Sequence, residues 1–264
     1  MEQLKTLREK TGAGMVDCKK ALDECGGDID KAVEILRKKG IAKAAKRTDR
    51  EASEGIVLVA VNDAHSEGYI LEVNSETDFV SRNEKFQDLA KAILDLIKTQ
   101  KPADLEALLA LSISGVSVKD TLDNLSGTIG EKLGIKGFAI LNGATVASYS
   151  HLGGRIGVLV ALSEAGKSEI ATDIAMQVAA SNPKYLTPEE VSAEEISKEK
   201  EIYREQLLKE GKPEQMIEKI AEGKINKYFS EVCLLKQEFI KDDKKTVENI
   251  LGGSKIEKFI RYSL

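Results

Sequence analysis

The spacing of apolar residues first changes at Gly55, and that change limits what the chain can become. Before it, apolar side chains recur with the 3.6-residue period of helices. Leu4 and Leu7 mark a first short helix, broken by Thr11-Gly12-Ala13-Gly14. Cys18, Ala21, Leu22 and Cys25 form one face of a second, which Gly26-Gly27 stops. Asp28 is placed to cap a third, with Ile29, Ala32, Val33 and Leu36 on its stripe and Gly40 at its end. After Gly55, β-branched runs set in. A small helical module over residues 1–40, followed by an α+β body, is the architecture this pattern predicts. A core of about forty residues is near the lower limit for independent stability, so the module is expected to lean on something else.

Within the body one unit recurs. Ile56–Val61, a polar turn and Tyr69–Val73 read as a hairpin. Asn83 then caps a helix whose face is Phe86, Leu89, Ala90, Ile93 and Ile97. Further helices are expected at 103–111 and, with Ser117 and Asp120 as a capping box, at 118–133; Phe138–Leu141 reads as a closing strand. The pattern returns with strands at Val146–Tyr149 and Arg155–Leu162 around a His151-Leu152-Gly153-Gly154 turn. A helix carrying Ile170, Ile174 and Val178 follows. Two related α+β subdomains with antiparallel sheets, 55–141 and 142–264, are the expectation.

Two segments stand outside that repeat. Residues 41–54 read as a basic linker, with Lys38, Lys39, Lys43, Lys46, Arg47 and Arg50 as its run of cations, a solvated surface in the ordinary case. Between about 187 and 230, Thr187-Pro188 and Ser192-Ala193-Glu194-Glu195 are helix starts, and Gly211-Lys212-Pro213 is a turn. Ile196, Tyr203 and Leu207 run down one helix and Met216, Ile217, Ile220 and Tyr228 up the next. Narrow apolar stripes on charge-rich helices predict a projecting antiparallel coiled-coil hairpin. Strands at 232–235 and 258–262 are expected to finish the chain.

Composition narrows the function. Acidic residues number 44 against 39 basic ones, and the sequence pI near 5.4 argues against binding nucleic acid through phosphate neutralisation. Three cysteines make no disulfide framework, and Cys18 and Cys25 on one helix would stand about 10 Å apart, beyond bridging reach. His65 and His151 have no ligand neighbours at zinc spacing. No run is long and apolar enough for a membrane span, and Met1-Glu2-Gln3-Leu4-Lys5 does not read as a secretory signal, so a cytoplasmic protein is expected. No nucleophile sits beside a base, and Gly153-Gly154-Arg155-Ile156-Gly157 precedes a strand where a phosphate loop needs a helix N-terminus. The expectation is a protein that is not an enzyme and needs no cofactor or metal, with a protein partner or a small ligand as the default.

Two long motifs carry a resemblance. Leu7-Arg8-Glu9-Lys10-Thr11-Gly12-Ala13-Gly14-Met15-Val16-Asp17-Cys18-Lys19-Lys20-Ala21-Leu22 and Glu72-Val73-Asn74-Ser75-Glu76-Thr77-Asp78-Phe79-Val80-Ser81-Arg82 resemble the two signatures of the elongation factor Ts family. The likeness continues through His151–Val160 and Phe259-Ile260-Arg261-Tyr262. It implies a guanine-nucleotide exchange factor for elongation factor Tu, with a ubiquitin-associated-like first module. It implies that Met15, Val16 and Lys19 dock that module on the partner's nucleotide-binding domain. Asp78 and Phe79, flanked by Thr77 and Val80, would enter near the partner's magnesium and phosphates. Ile129-Gly130 would line the same contact and His151 would belong to the second subdomain's contact surface. Some family members continue into a further helix after the segment matching Arg261-Tyr262, and that contact is expected to be missing here.

Overall fold

The computed structural model describes residues 2–264, apart from the side chains of Ile41, Lys43 and Ala45. Three helices come first, α1 (Glu2–Thr11), α2 (Met15–Glu24) and α3 (Ile29–Ala45). They bury Leu7, Cys18, Ala21, Ala32 and Leu36 against one another, the apolar stripe read from the spacing. Asp28 caps α3 by accepting the Asp30 and Lys31 backbone N–H groups. The Lys31 amide in particular holds its carboxyl below the ordinary range. Gly40 does not end this helix. It continues to Ala45, so the first part of the expected linker is helical, and the Lys43 side chain lies outside the described residues.

The chain then forms β1 (Glu54–Val61), β2 (Glu67–Ser75), α4 (Asp78–Ser81), α5 (Glu84–Gln100) and α6 (Leu105–Ala110). The two-residue strands β3 (Ser112–Ile113) and β4 (Val116–Ser117) lead into α7 (Val118–Ile129) and β5 (Gly134–Asn142). Strands β1, β2 and β5 make an antiparallel sheet with β2 central. Phe86, Leu89, Ala90, Ile93 and Ile97 of α5 pack on its Tyr69, Leu71 and Val73, together with Leu108, Val118 and Leu122. Asn83 and Ser117 accept backbone N–H groups at the starts of α5 and α7, but Ser117 makes half a capping box only. Helix α7 ends at Ile129, earlier than expected, because Gly130 adopts φ +94° and turns its N–H back to the Ser126 carbonyl. Where α3 crosses α7, Gly40 faces Gly127, and it is Gly127, inside α7, that serves the close approach.

A second antiparallel sheet follows. It has β7 (Ile156–Leu162) between β6 (Thr145–His151) and the last strand, with α8 (Ser168–Ser181) after β7. The helices α9 (Ala193–Lys209) and α10 (Glu214–Val232) come next. The small pair β8 (Glu238–Phe239) and β9 (Asp242–Thr246), then α11 (Val247–Ile250), precede β10 (Ile256–Ser263). The two large sheets bury Val57, Ile70 and Leu141 of one against Val146, Leu159 and Ala161 of the other. On the far face of the second, Val158, Val160 and Leu162 meet Ile174, Ala175 and Val178 of α8. The body is therefore α+β in four layers, helix, sheet, sheet, helix.

Helices α9 and α10 lie antiparallel, with Leu207, Ile217 and Ala221 buried toward one end and Val191, Tyr228 and Cys233 at the other. At that second end Glu195 accepts hydrogen bonds from the Tyr185 and Tyr228 hydroxyls. The expected strand at 232–235 is absent. Helix α10 runs to Val232, and a 3-10 turn at Leu234–Lys236 follows, its Leu234 and Leu235 amides taken by the Tyr185 and Leu186 carbonyls. Among the described residues no helix is long and apolar enough to cross a membrane.

Candidate functional site

Strand β2 delivers the chain to Thr77, whose backbone is extended ahead of α4. A threonine there could cap the helix, yet its hydroxyl is used elsewhere. Thr77 Oγ1 donates to Glu131 Oε1 at 2.7 Å and its backbone N–H donates to Glu131 Oε2 at 3.0 Å. One carboxylate thus grips the residue before Asp78-Phe79. Helix α4 then sorts its side chains by direction. Val80 is buried in the first core, 7% exposed, whereas Phe79 is 82% exposed. Asp78 pairs with Arg82 at 2.9 Å, one helical turn on.

The same carboxylate binds the end of α7 to this loop. Ile129 packs on the first core and Gly130 reverses the chain, so Glu131 arrives directly beneath Thr77. Ser126 Oγ donates to the Glu131 carbonyl at 2.6 Å. Lys132 N–H donates to Glu76 at 2.6 Å, which holds the Glu76 carboxyl below its usual range. The structure therefore brings Thr77, Asp78 and Phe79 close to Ile129 and Gly130, whereas the Val80 side chain, expected to flank the contact, is turned into the first core.

A cleft of about 190 Å³ opens beside Asp78. Asp78, Ser81, Arg82 and Gln87 line one side, Leu152, Gly153 and Arg155 of the β6–β7 turn the other, with Gly55 and Ile56 of β1 between. Arg155 forms a two-pronged pair with Glu54 at 2.6 and 3.3 Å. That hydrogen bond pulls the Glu54 carboxyl down, with Arg82 adding to the pull, and pushes the Arg155 guanidinium up, with Asp78 adding to the push. Two ion pairs, Asp78–Arg82 and Glu54–Arg155, thus stand at the opening. His151 stands at the end of β6, exposed, stacked on Tyr149 at 5.8 Å between centroids, with the tyrosine hydroxyl 3.2 Å from Nδ1.

Leu152 escaped the sequence reading. It is 64% exposed and holds φ +50° in the turn. The signal was a large apolar residue set between a histidine and two glycines, where turns ordinarily carry polar ones.

Met15, Val16 and Lys19 lie on the first turns of α2, beside the stripe of the buried Cys18 and Ala21, with Met15 56% and Val16 66% exposed. They form a separate patch on the helical module. The α1–α2 loop reaches the body, since a Cβ on Gly12 would sit 3.3 Å from Thr128, next to Ile129. Cys18 and Cys233 are buried, and burial pushes the Cys233 thiol up to about 11, far from a reactive thiolate. Among the described residues no group of three His, Cys, Asp or Glu side chains could hold a metal.

The family model described as Elongation factor TS matches residues 76–264, from the Glu76-Thr77-Asp78-Phe79 loop through β10. Members of that family are exchange factors for elongation factor Tu and make or break no covalent bond. The match takes in the exposed Phe79, the Glu131 grip, the Ile129-Gly130 turn, both sides of the cleft apart from its β1 residues, and the α9–α10 pair, well over half of the chain, and so this chain belongs to the elongation factor Ts family.

Proposed function

We propose that this chain releases GDP from elongation factor Tu by seating Asp78 and Phe79 beside the partner's magnesium and phosphate site, with Ile129-Gly130 and His151 completing the contact. The observation that carries the proposal is Phe79, 82% exposed on a four-residue helix whose lead-in residue is doubly hydrogen bonded. An aromatic held out into water on a fixed support costs the free protein solubility and returns nothing until it is buried elsewhere.

Exchange needs differential binding. A factor that prefers the nucleotide-free partner weakens GDP by the same factor by which GDP weakens it. Burying one phenylalanine contributes about 1.5–3 kcal/mol. At about 1.4 kcal/mol per decade, the wedge supplies one to two decades of that preference. The remainder must come from other surfaces. We assign part of it to residues 1–40, as a ubiquitin-associated-like module docking through Met15, Val16 and Lys19. Residues 55–141 and 142–264 act as two subdomains presenting the two walls of the cleft, and α9–α10 as a coiled-coil arm. The partner is elongation factor Tu in the cytoplasm, and no nucleic acid, membrane or cofactor enters the scheme.

Release of a fluorescent GDP from purified elongation factor Tu tests the proposal. Substoichiometric amounts of this chain should accelerate release catalytically. An unchanged release rate at every concentration would overturn it.

A further inference from the structure

Five described residues other than glycine hold a positive φ: His65, Lys101, Ser114, Leu152 and Asn182. Four are polar. Lys101 and Asn182 are C-caps of α5 and α8, and His65 and Ser114 sit in hairpin turns. Leu152 alone among them is apolar, and it adds a second cost, since most of its side chain faces water. A bulky residue at φ +50° is disfavoured by contact between its Cβ and the backbone. The free chain gains from neither property, and Gly153 and Gly154 beside it already take the left-handed backbone without strain.

What Leu152 does have is position. It lines the cleft opposite Asp78 and Arg82, so it stands across that opening from the helix that holds Phe79 outward. The cleft between them is charged, with Glu54, Asp78, Arg82 and Arg155 disposed around it. Leu152 on the lining, and Phe79 on the helix whose Asp78, Ser81 and Arg82 line the same opening, are both left uncovered by the rest of the chain, as the anchors of a docking surface are. We propose that Leu152 is a second apolar anchor for elongation factor Tu, binding the partner's surface next to the place where Phe79 enters. This rests on the exchange-factor reading above and deepens it. The roles differ: Phe79 acts on the partner's nucleotide site and sets the maximal rate, whereas Leu152 adds affinity.

The two costs make the proposal testable in opposite directions. Leu152→Gly removes the strained leucine, so its thermal midpoint should equal or exceed that of the unaltered chain. The same change removes the anchor, and the factor concentration giving half-maximal GDP release should rise about tenfold or more, as expected for one buried leucine. The plateau rate should stay. Leu152→Asn, which tolerates the left-handed backbone but is polar, should weaken half-saturation like glycine without loosening the turn. Leu152→Met should restore it to within about twofold. Phe79→Ala is run in the same series. A Phe79→Ala defect beside normal half-saturation in Leu152→Gly and Leu152→Asn would overturn the anchor alone. A lowered thermal midpoint in Leu152→Gly would make the leucine structural and overturn it too. An unaltered chain that releases no GDP would overturn both anchor and exchange reading.

Discussion

Gly40 and Gly127 meet where α3 crosses α7, and the contact is not symmetrical. A Cβ on Gly127 would lie 2.5 Å from the Gly40 Cα, whereas one on Gly40 would find nothing nearer than 3.8 Å. Gly127→Ala should therefore force the helices apart, costing about 1–3 kcal/mol as overpacking does. Gly40→Ala should hold or raise stability, gaining up to about 1 kcal/mol of helix propensity. Urea unfolding of both variants, with limited proteolysis across residues 46–53, separates the two outcomes. Equal effects would mean that the helices do not cross as described.

Phe79 should matter to exchange and hardly at all to folding. Phe79→Ala removes no buried contact, so the thermal midpoint should shift by less than about 1 °C, well under the effect of 1 kcal/mol. If the ring prefers the nucleotide-free partner, maximal GDP release at saturating factor should fall about tenfold or more. Stopped-flow release at rising factor concentration distinguishes this from simple loss of affinity, in which saturation would restore the full rate. Asp78→Ala should matter less once magnesium has been chelated.

Glu131 is a residue whose role passes through others. Glu131→Ala leaves the Thr77 amide and hydroxyl without their acceptor, a loss of about 1–3 kcal/mol for a part-buried donor. Exchange should suffer as well, because Asp78-Phe79 and Ile129-Gly130 would lose their common support. Glu131→Gln keeps one acceptor oxygen and should recover most of both. Hydrogen exchange at the Thr77 amide reports the grip directly, and unchanged protection in Glu131→Ala would refute it.

The Glu54–Arg155 pair predicts a pH dependence with a definite sign. Its hydrogen bond depresses the folded-state pKa of Glu54 below the ordinary 4.5. Stabilisation from a depressed carboxylate is complete above the unfolded value and disappears as pH falls through the folded one. The stability gap between the unaltered chain and Glu54→Gln should thus be present at neutral pH and close below pH 4.5. The gap will be small, as for any pair open to water, and low salt favours its detection. A gap that widened on acidification would reverse the assignment.

Helices and strands were legible wherever periodicity and caps agreed. Asp28, Asn83 and Ser192 each accept the backbone N–H groups that their positions predict, and Tyr69, Leu71 and Val73 meet the apolar face of α5. Failures occurred where a local signal had two physical meanings. Gly40 reads as a helix stop, and only the facing Gly127 reveals close packing. Leu234 and Leu235 read as a strand, but they sit in a 3-10 turn with their amides bonded to the Tyr185 and Leu186 carbonyls, each 49 positions distant and invisible locally. In the site, Asp78 and Phe79 are visible as a motif, whereas the Thr77–Glu131 grip spans 54 positions and involves an unremarkable glutamate. Leu152 shows its character only once φ and exposure are known.

The place of β10 bears on how the molecule comes into being. Its residues pair with β7, Ile256 with Leu162 and Ser263 with Ile156, across the whole of α8 and the α9–α10 arm. A ribosome must therefore finish the arm before the second sheet can acquire its third strand. Until then one edge of β7 shows unpaired amides and carbonyls, with Val158 and Val160 lacking their full cover. The nascent chain carries an open sheet edge through the synthesis of the arm, and the last strand acts as the latch that ends this exposure. Interrupted synthesis or clipping ahead of Ile256 would leave a sticky two-stranded remnant, so a protein that serves translation depends on its own translation being carried through to that strand.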